Sequence, residues 1–298
     1  MRAWLLREPN AIAKDPLSMV KLPRPDPGAG QVRVKVSACG LCRTDLHLVE
    51  GDVKAALLPV VPGHQIVGRV DAVGPGVGRW KVGERLGIAW LRHTCGACEW
   101  CHRGMENLCA ASRYTGSHHH GGFAEWAVVH EDFAYALPPA FSDRQAAPLL
   151  CAGIIGYRAL RQCGARPGEL LGIYGFGSSA HITTQVARHR GIEVAVVTRA
   201  ERNRSLARQL GAVWVGGVED SPPEPFHCVV IFAPRGDLVP RALEALRPGG
   251  TVACAGIFMS PVPSLDYVRH LFEEKKLTSV TSNTREDGRE LLAIAAEI

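Results

Sequence analysis

Ten cysteines and twelve histidines give this 298-residue chain a large stock of soft metal donors, and some of them are spaced for a purpose. Cys95, Cys98, Cys101 and Cys109 lie within CGACEWCHRGMENLC at the spacing C-x2-C-x2-C-x7-C. Four thiolates this close in sequence can complete a tetrahedral shell around one zinc and leave no position for a substrate. A metal there holds a loop together and does no chemistry. A disulfide pair or four unrelated thiols are the alternatives. Disulfides are disfavoured, because MRAWLLREPNAIAKD lacks the apolar length and cleavage pattern of a secretory signal, and such tight spacing in an intracellular chain binds metal.

A second chemical signal is GFGSSA, residues 175–180, which follows the apolar run LLGIY and opens SSAHITTQVARHRG. This is G-x-G-x-x-G/A between a strand and a helix, the context a dinucleotide site requires. Gly175 makes the tight turn, Gly177 lets a pyrophosphate approach the backbone, and Ala180 stands where helix and strand pack closely. Phe176, Ser178 and Ser179 complete the loop at the helix N-terminus, whose N–H groups face the phosphates. Any βα turn can carry two glycines, and it is the place at the head of a βαβαβ run that gives the motif weight. The next strand, VAVVT, ends at Thr198 and Arg199, where an NAD site carries an acid for the ribose 2′-hydroxyl. A hydroxyl and a guanidinium there suit a 2′-phosphate and favour NADP, with Arg202 and Arg204 adding charge. Alternatively these arginines cap a solvated helix face and NAD binds through other contacts.

The remaining donors are scattered. Cys42 lies in CGLCRTDLH, His64 in PGH and Cys151 in LLCAGIIGY. Three protein ligands and one open position define a catalytic zinc. Spacing alone does not prove such a site, because Cys151 is distant in sequence and a lone Cys is more often a small buried apolar residue.

The elements that must position these groups change character along the chain. Residues 1–150 hold short alternating runs between Gly and Pro: QVRVKVSACG, HQIVGRVDAVG and GFAEWAVVH. Period-two alternation of this kind predicts antiparallel strands in a barrel or sandwich. From about residue 165 short apolar strands (LLGIYG, VAVVT, FHCVVIFA, TVACAGI, LTSVTS) alternate with helical stretches, ending in REDGRELLAIAAEI. That order predicts βαβ units on a parallel sheet. PLLCAGIIGYRALRQCG is expected to be a helical bridge between the halves. The fold class is thus α/β, a mostly antiparallel β domain followed by a doubly wound parallel sheet.

A hydrophobic content of 46% is that of a globular chain, and no apolar run reaches membrane-spanning length. The net charge of +5 comes with scattered arginines and no basic stripe with interleaved aromatics. Nucleic acid and membrane are therefore not expected as partners, and a cytoplasmic location is.

Taken together, CGLCRTDLH, PGH with GRVDAVGPGVGRWKVGERL, the four-cysteine lobe, GGFAEW, LLCAG and GFGSSA resemble the zinc-dependent medium-chain alcohol dehydrogenases along nearly the whole chain. The resemblance implies a GroES-like catalytic domain over 1–150 and a Rossmann domain over 151–298, with the active site in the cleft between them. It implies two zinc ions per chain, a nicotinamide dinucleotide (NADP or NAD) and a small alcohol or aldehyde as substrate. Cys42, His64 and Cys151 look like the catalytic zinc ligands, and Thr44 like the hydroxyl that takes the alcohol proton. His47 looks like the outer end of that relay, and Asp45 like the carboxylate that orients His64. Trp90 resembles an aromatic wall of the substrate pocket, which Val53 and Leu91 would narrow toward small alcohols. Asn283 is a candidate contact at the nicotinamide end. Relatives of this kind are homodimers or homotetramers.

Three departures stand beside the resemblance. Gln65 occupies the place where many members have Glu after the zinc-binding His, and Ile155 the place of a Thr near the nicotinamide. The chain also ends at Ile298, where members usually continue back into the catalytic domain. A C-terminally truncated, less stable chain is the expectation, and a zinc-binding fragment without turnover is one alternative function. A zinc-free quinone or enoyl reductase on the same fold is another, and the presence of Cys42, His64 and Cys151 argues against it. His118-His119-His120 reads as a polar loop tip, and Cys39, Cys163, Cys228 and Cys254 as structural thiols.

Overall fold

Residues 1–151 form nine strands, as seen in a computed structural model that describes residues 1–298. In order they are β1 (Arg2–Leu6), β2 (Leu17–Lys21), β3 (Gln31–Gly40), β4 (Gln65–Val73), β5 (Arg85–Ile88), β6 (Leu91–His93), β7 (Arg113–Tyr114), β8 (Trp126–His130) and β9 (Ala134–Ala136). Helices α1 (Arg43–Glu50), α2 (Glu99–His102) and α3 (Asp143–Ala146) are short. The main sheet is antiparallel with strand order β8-β3-β4-β5-β9. Alternation along β3 turns Val32 and Val34 into a core with Ile66, Val70, Leu86, Ile88, Ala127 and Val129, while Arg33 and Lys35 face away. Leu91 belongs to the same core and is 0% exposed, so it lines no pocket, contrary to expectation. Its place on an apolar face was hidden because β6 is only three residues long.

Residues 152–281 follow as α4 (Ala152–Cys163), β10 (Leu170–Tyr174), α5 (Ser178–His189), β11 (Glu193–Val197), α6 (Glu201–Gln209), β12 (Trp214–Gly216), β13 (Phe226–Ile231), α7 (Leu238–Glu244), β14 (Leu246–Cys254), α8 (Tyr267–His270) and β15 (Lys276–Ser279). The strands form one parallel sheet in the order β12-β11-β10-β13-β14-β15. Numbered within the sheet this is 3-2-1-4-5-6, the doubly wound dinucleotide-binding order. Both faces are buried. Leu170, Tyr174, Val197, Val229 and Ile231 pack with α7, while the alternate residues Leu171, Ile173, Val196 and Val230 are also inaccessible. That burial explains why these strands read as continuous apolar runs. The three-residue β12 gave no such run and escaped the sequence pattern.

The chain divides into Met1–Cys151 with Ser282–Ala296, and Ala152–Thr281 with Glu297–Ile298. The sequence boundary assigned all of 151–298 to the second domain. Two corrections follow: Cys151 lies in the first unit, and so does the last helix, α9 (Arg285–Ala295). Thr284 caps α9, with its backbone N–H and side chain exchanging hydrogen bonds with Asp287. Helical periodicity fixed an apolar stripe of Leu291, Leu292 and Ala295 but not the core that receives it. Gly288 makes the close approach to the first unit, where a Cβ would stand 2.4 Å from the Tyr135 ring.

Candidate metal and cofactor sites

The first site starts at the N-terminus of α1. Cys42 is its N-cap in extended conformation, and Asp45 at the third helical position reaches back to accept the Cys42 N–H at 2.9 Å. The other Asp45 oxygen accepts from the Gly63 N–H at 3.2 Å and lies 3.0 Å from His64 Nδ1. One capping carboxylate therefore positions the backbone before one donor and the ring of another. With its Nδ1–H donated to Asp45, His64 turns Nε2 toward two sulfurs, 3.4 Å from Cys42 Sγ and 3.2 Å from Cys151 Sγ. The two sulfurs are 3.9 Å apart. Zinc bonds of about 2.3 Å to sulfur and about 2.0 Å to nitrogen give tetrahedral edges of about 3.8 Å (S–S) and about 3.5 Å (S–N). The donor triangle fits that metal.

Electrostatics agree with the geometry. Hydrogen bonding to Cys151 and then to His64 favours the Cys42 thiolate, and the same bond, with burial, pushes the Cys151 thiol up. Burial opposes charge on His64, but the Asp45 carboxylate overcomes it and pushes the imidazole up to about 10. Burial likewise opposes the Asp45 carboxylate, and His64 with the two backbone N–H groups holds it below its usual range. His64 and Cys151 therefore hold protons that a divalent cation would displace on binding. Asp45→Asn keeps the shape and an acceptor for His64 but removes the charge. It should weaken zinc retention about 10–100-fold, read by competition with a chelator; unchanged retention would remove Asp45 from this role.

Farther along α1, Thr44 and His47 are three residues apart on one face. His47 Nδ1 is 2.8 Å from Asp52 Oδ2, and Asp52 is exposed to solvent. Gly51 ends the helix in the left-handed region and turns the chain so that Asp52 meets His47. Asp52 was not read from the sequence, because a lone acid after a helix is ordinary. The Trp90 ring meets His64 edge-on at 5.0 Å and stacks on Tyr114, also at 5.0 Å. Tyr114 was missed too. It pairs with Leu91 across β6–β7, a register that sequence spacing does not reveal.

The second group is the lobe. Sulfur separations of 3.5 Å (Cys95–Cys109), 3.6 Å (Cys98–Cys101) and 4.0 Å (Cys95–Cys101) bring four donors around one point, and all ten cysteines of the chain are free thiols. The Ala97 backbone N–H, the Cys109 thiol and the Cys98 backbone N–H all bond the Cys95 sulfur and lower its pKa to about 6. Glu106, between the third and fourth cysteines, accepts from the Arg285 backbone N–H at 2.7 Å and from its guanidinium Nη2 at 2.7 Å. Arg285 also lies over the Phe133 ring at 4.7 Å. No sequence signal joined two residues so far apart.

In the second unit, Gly175 takes φ +87°, and a Cβ there would lie 2.9 Å from the Ala233 nitrogen. Gly177 is the extended N-cap of α5, with Ser178 and Ser179 in the first turn and Phe176 buried against His181. The first-turn N–H groups are free to meet a phosphate. Thr198 directly follows β11 and is buried, whereas Arg199 and Arg202 are exposed. Arg204 donates from Nε to the Thr198 carbonyl at 2.9 Å, so part of its charge serves the backbone. Asn283 falls in the first unit, buried, with its side chain donating to the Thr284 carbonyl.

Fold and donor geometry define a two-unit, metal- and dinucleotide-binding oxidoreductase. Residues 28–139 match the family model for an alcohol dehydrogenase GroES-like domain, and residues 180–297 match that for a zinc-binding dehydrogenase. The chain belongs to the zinc-dependent medium-chain alcohol dehydrogenase family. It is 51% identical over 302 residues to the "Probable alcohol dehydrogenase AdhA" of Mycobacterium tuberculosis (strain CDC 1551 / Oshkosh), covering 100% of this chain and 87% of that protein. The cinnamyl alcohol dehydrogenase structure from Sorghum bicolor superposes with a TM-score of 0.90 at 29% identity, covering 99% of this chain and 87% of that one. The cobalt- and zinc-bound thermostable alcohol dehydrogenase of Pyrobaculum aerophilum gives 0.91 at 26% identity, covering 100% and 89%.

Proposed function

We propose that the enzyme interconverts an alcohol and an aldehyde or ketone at a zinc held by Cys42, His64 and Cys151, while a second zinc, held by Cys95, Cys98, Cys101 and Cys109, maintains the lobe. The observation that carries this reading is the donor triangle with tetrahedral edge lengths, backed by Asp45. The balance is alcohol plus oxidised nicotinamide giving carbonyl, reduced nicotinamide and one proton. When bound, the zinc supplies a Lewis acid for the alcohol or carbonyl oxygen, and the nicotinamide accepts or returns the hydride. The protein's own part is position and proton traffic. Thr44 takes the hydroxyl proton, His47 passes it outward, and Asp52 holds the His47 ring at the solvent edge. Trp90 and Tyr114 present a flat aromatic wall to the substrate.

Gly175–Ser179 hold the pyrophosphate, and Thr198 with Arg199 favours NADP over NAD; Asn283 is assigned to the nicotinamide end. The side chain of Thr198 can change without loss of its backbone bond to Arg204. Thr198→Asp should therefore lower the ratio of kcat/KM for NADP over NAD about tenfold or more, because a carboxylate repels a 2′-phosphate. An unchanged ratio would mean the strand end is not the selector. We further propose a homodimer or homotetramer, supported by exposed Tyr267, Val268 and Phe272 on the unit that carries the edge strand β15; light scattering reads this directly. No helix is long and apolar enough to cross a membrane, and the many free thiols suit a cytoplasmic setting. The deciding experiment combines zinc analysis with initial rates on an alcohol and aldehyde panel, run with both cofactors. About two zinc per chain with alcohol-dependent reduction of either nicotinamide is the expected result. Two zinc without turnover, or turnover without zinc, would overturn the proposal.

A further inference from the structure

We propose that Arg92 anchors an anion-binding site in the first unit, beside the His118–His120 loop, taking a small oxyanion, a carboxylate or a phosphate. Arg92 lies on β6 and is only 7% exposed. Its hydrogen bond goes to a neutral group, from Nη2 to the Val128 carbonyl at 2.9 Å, and no carboxylate pairs with it. A guanidinium carries five N–H donors in a planar fork suited to two oxygens of one anion. Taking such a charge out of water without a counter-ion costs several kcal/mol, so a buried, unpaired arginine points to a missing anion.

His93 faces Arg113 across the β6–β7 pair, and the His118–His120 loop returns alongside through the bridge between Thr115 and His119. Burial lowers His119 to about 4, helped by Arg92, His118, His93 and Arg113, and burial then Arg92 lower His120. Burial alone lowers Arg92 to about 10. None of the three forms an ion pair with a carboxylate. His120 accepts the Val61 N–H on Nδ1 at 3.1 Å, which leaves its proton on Nε2 as a donor. The Nδ1 atom of His118 is buried without a partner in the same loop. A fixed fork, a neutral imidazole donor and no acceptor of opposite charge together match an oxyanion.

Inorganic phosphate is the probe, at constant ionic strength with the chain fully loaded with zinc. The wild type should melt about 3 °C higher when phosphate is tenfold above its dissociation constant. Arg92→Met should melt no lower without phosphate, since it removes an unpaired buried charge, and should lose most of the phosphate response. His119→Gln, at an exposed position, tests the site should Arg92→Met fail to fold; it should weaken phosphate binding several-fold. The His119 ring proton resonance should also shift on phosphate addition in the wild type. An equal phosphate response in wild type and both variants, or none in the wild type, would overturn the site. One arm rests on the dehydrogenase reading and separates the two sources of anion. If the carboxylate is carried by substrate, the KM advantage of 4-oxobutanoate over butanal should vanish in Arg92→Met. If the ligand is free phosphate, that ratio stays unchanged while the melting response is still lost.

Discussion

Cys42→Ala should abolish turnover and lower the zinc content from about two to about one per chain, while nicotinamide dinucleotide binding stays within about twofold of the parent. The donor triangle then keeps only His64 and Cys151, too few for a three-ligand catalytic zinc. A Lewis acid acting on a reacting oxygen contributes several kcal/mol to the transition state, so the loss is about 10³-fold or more in kcat/KM. The fold should survive. Cys42 caps α1 through its backbone N–H to Asp45, a bond alanine retains, and the glycine turn at Gly175–Ser179 belongs to the other unit. Zinc per chain, melting temperature and cofactor fluorescence titration separate loss of the metal from loss of structure. Undiminished activity in a variant with one zinc would end the assignment of Cys42.

Glu106→Gln carries the largest expected stability effect. The Glu106 carboxylate is nearly buried and accepts four hydrogen-bond contacts from Arg285, two of them from the guanidinium Nε at 3.0 Å, besides a longer one from Thr94. An amide of the same shape removes the charge and replaces one acceptor by a donor facing a guanidinium. The cost of breaking such a partly buried pair is about 2–4 kcal/mol, or a fall of about 3–6 °C in melting temperature. The sign of the pH dependence follows from the carboxylate. Burial disfavours its ionisation, but the hydrogen bonds and charge of Arg285 hold its pKa below the usual range. Its contribution is therefore complete above the unfolded carboxyl pKa of about 4.3 and disappears as pH falls through the lower folded value. The gap between parent and variant should stay constant from neutral pH down to about 5.5 and close in stronger acid. Equal melting at pH 7, or a gap that persists undiminished at pH 3, would remove the pair from the stability of the lobe and α9.

How much of this was legible in the sequence depends on how local each signal is. Strand alternation in QVRVKVSACG and the apolar runs LLGIY and FHCVVI specified both sheets, because period and burial are written residue by residue. The lobe was equally plain, since its four donors occupy one short loop whose own turns bring them together. The glycine turn at Gly175–Gly177 needed only a strand and a helix in succession.

Cys42, His64 and Cys151 were recognised through family resemblance and not through spacing, because three chain segments must converge before they become one centre. Sequence alone determined the two sheets, the lobe and the glycine turn. Tertiary structure alone decided that α9 joins the first unit, that Glu106 finds Arg285, that Leu91 is core and that Arg92 is buried without an acid. The physical reason is the same in each case. Periodicity says that a residue must be covered or a charge paired, but the partner that covers or pairs it is chosen by packing between segments distant along the chain.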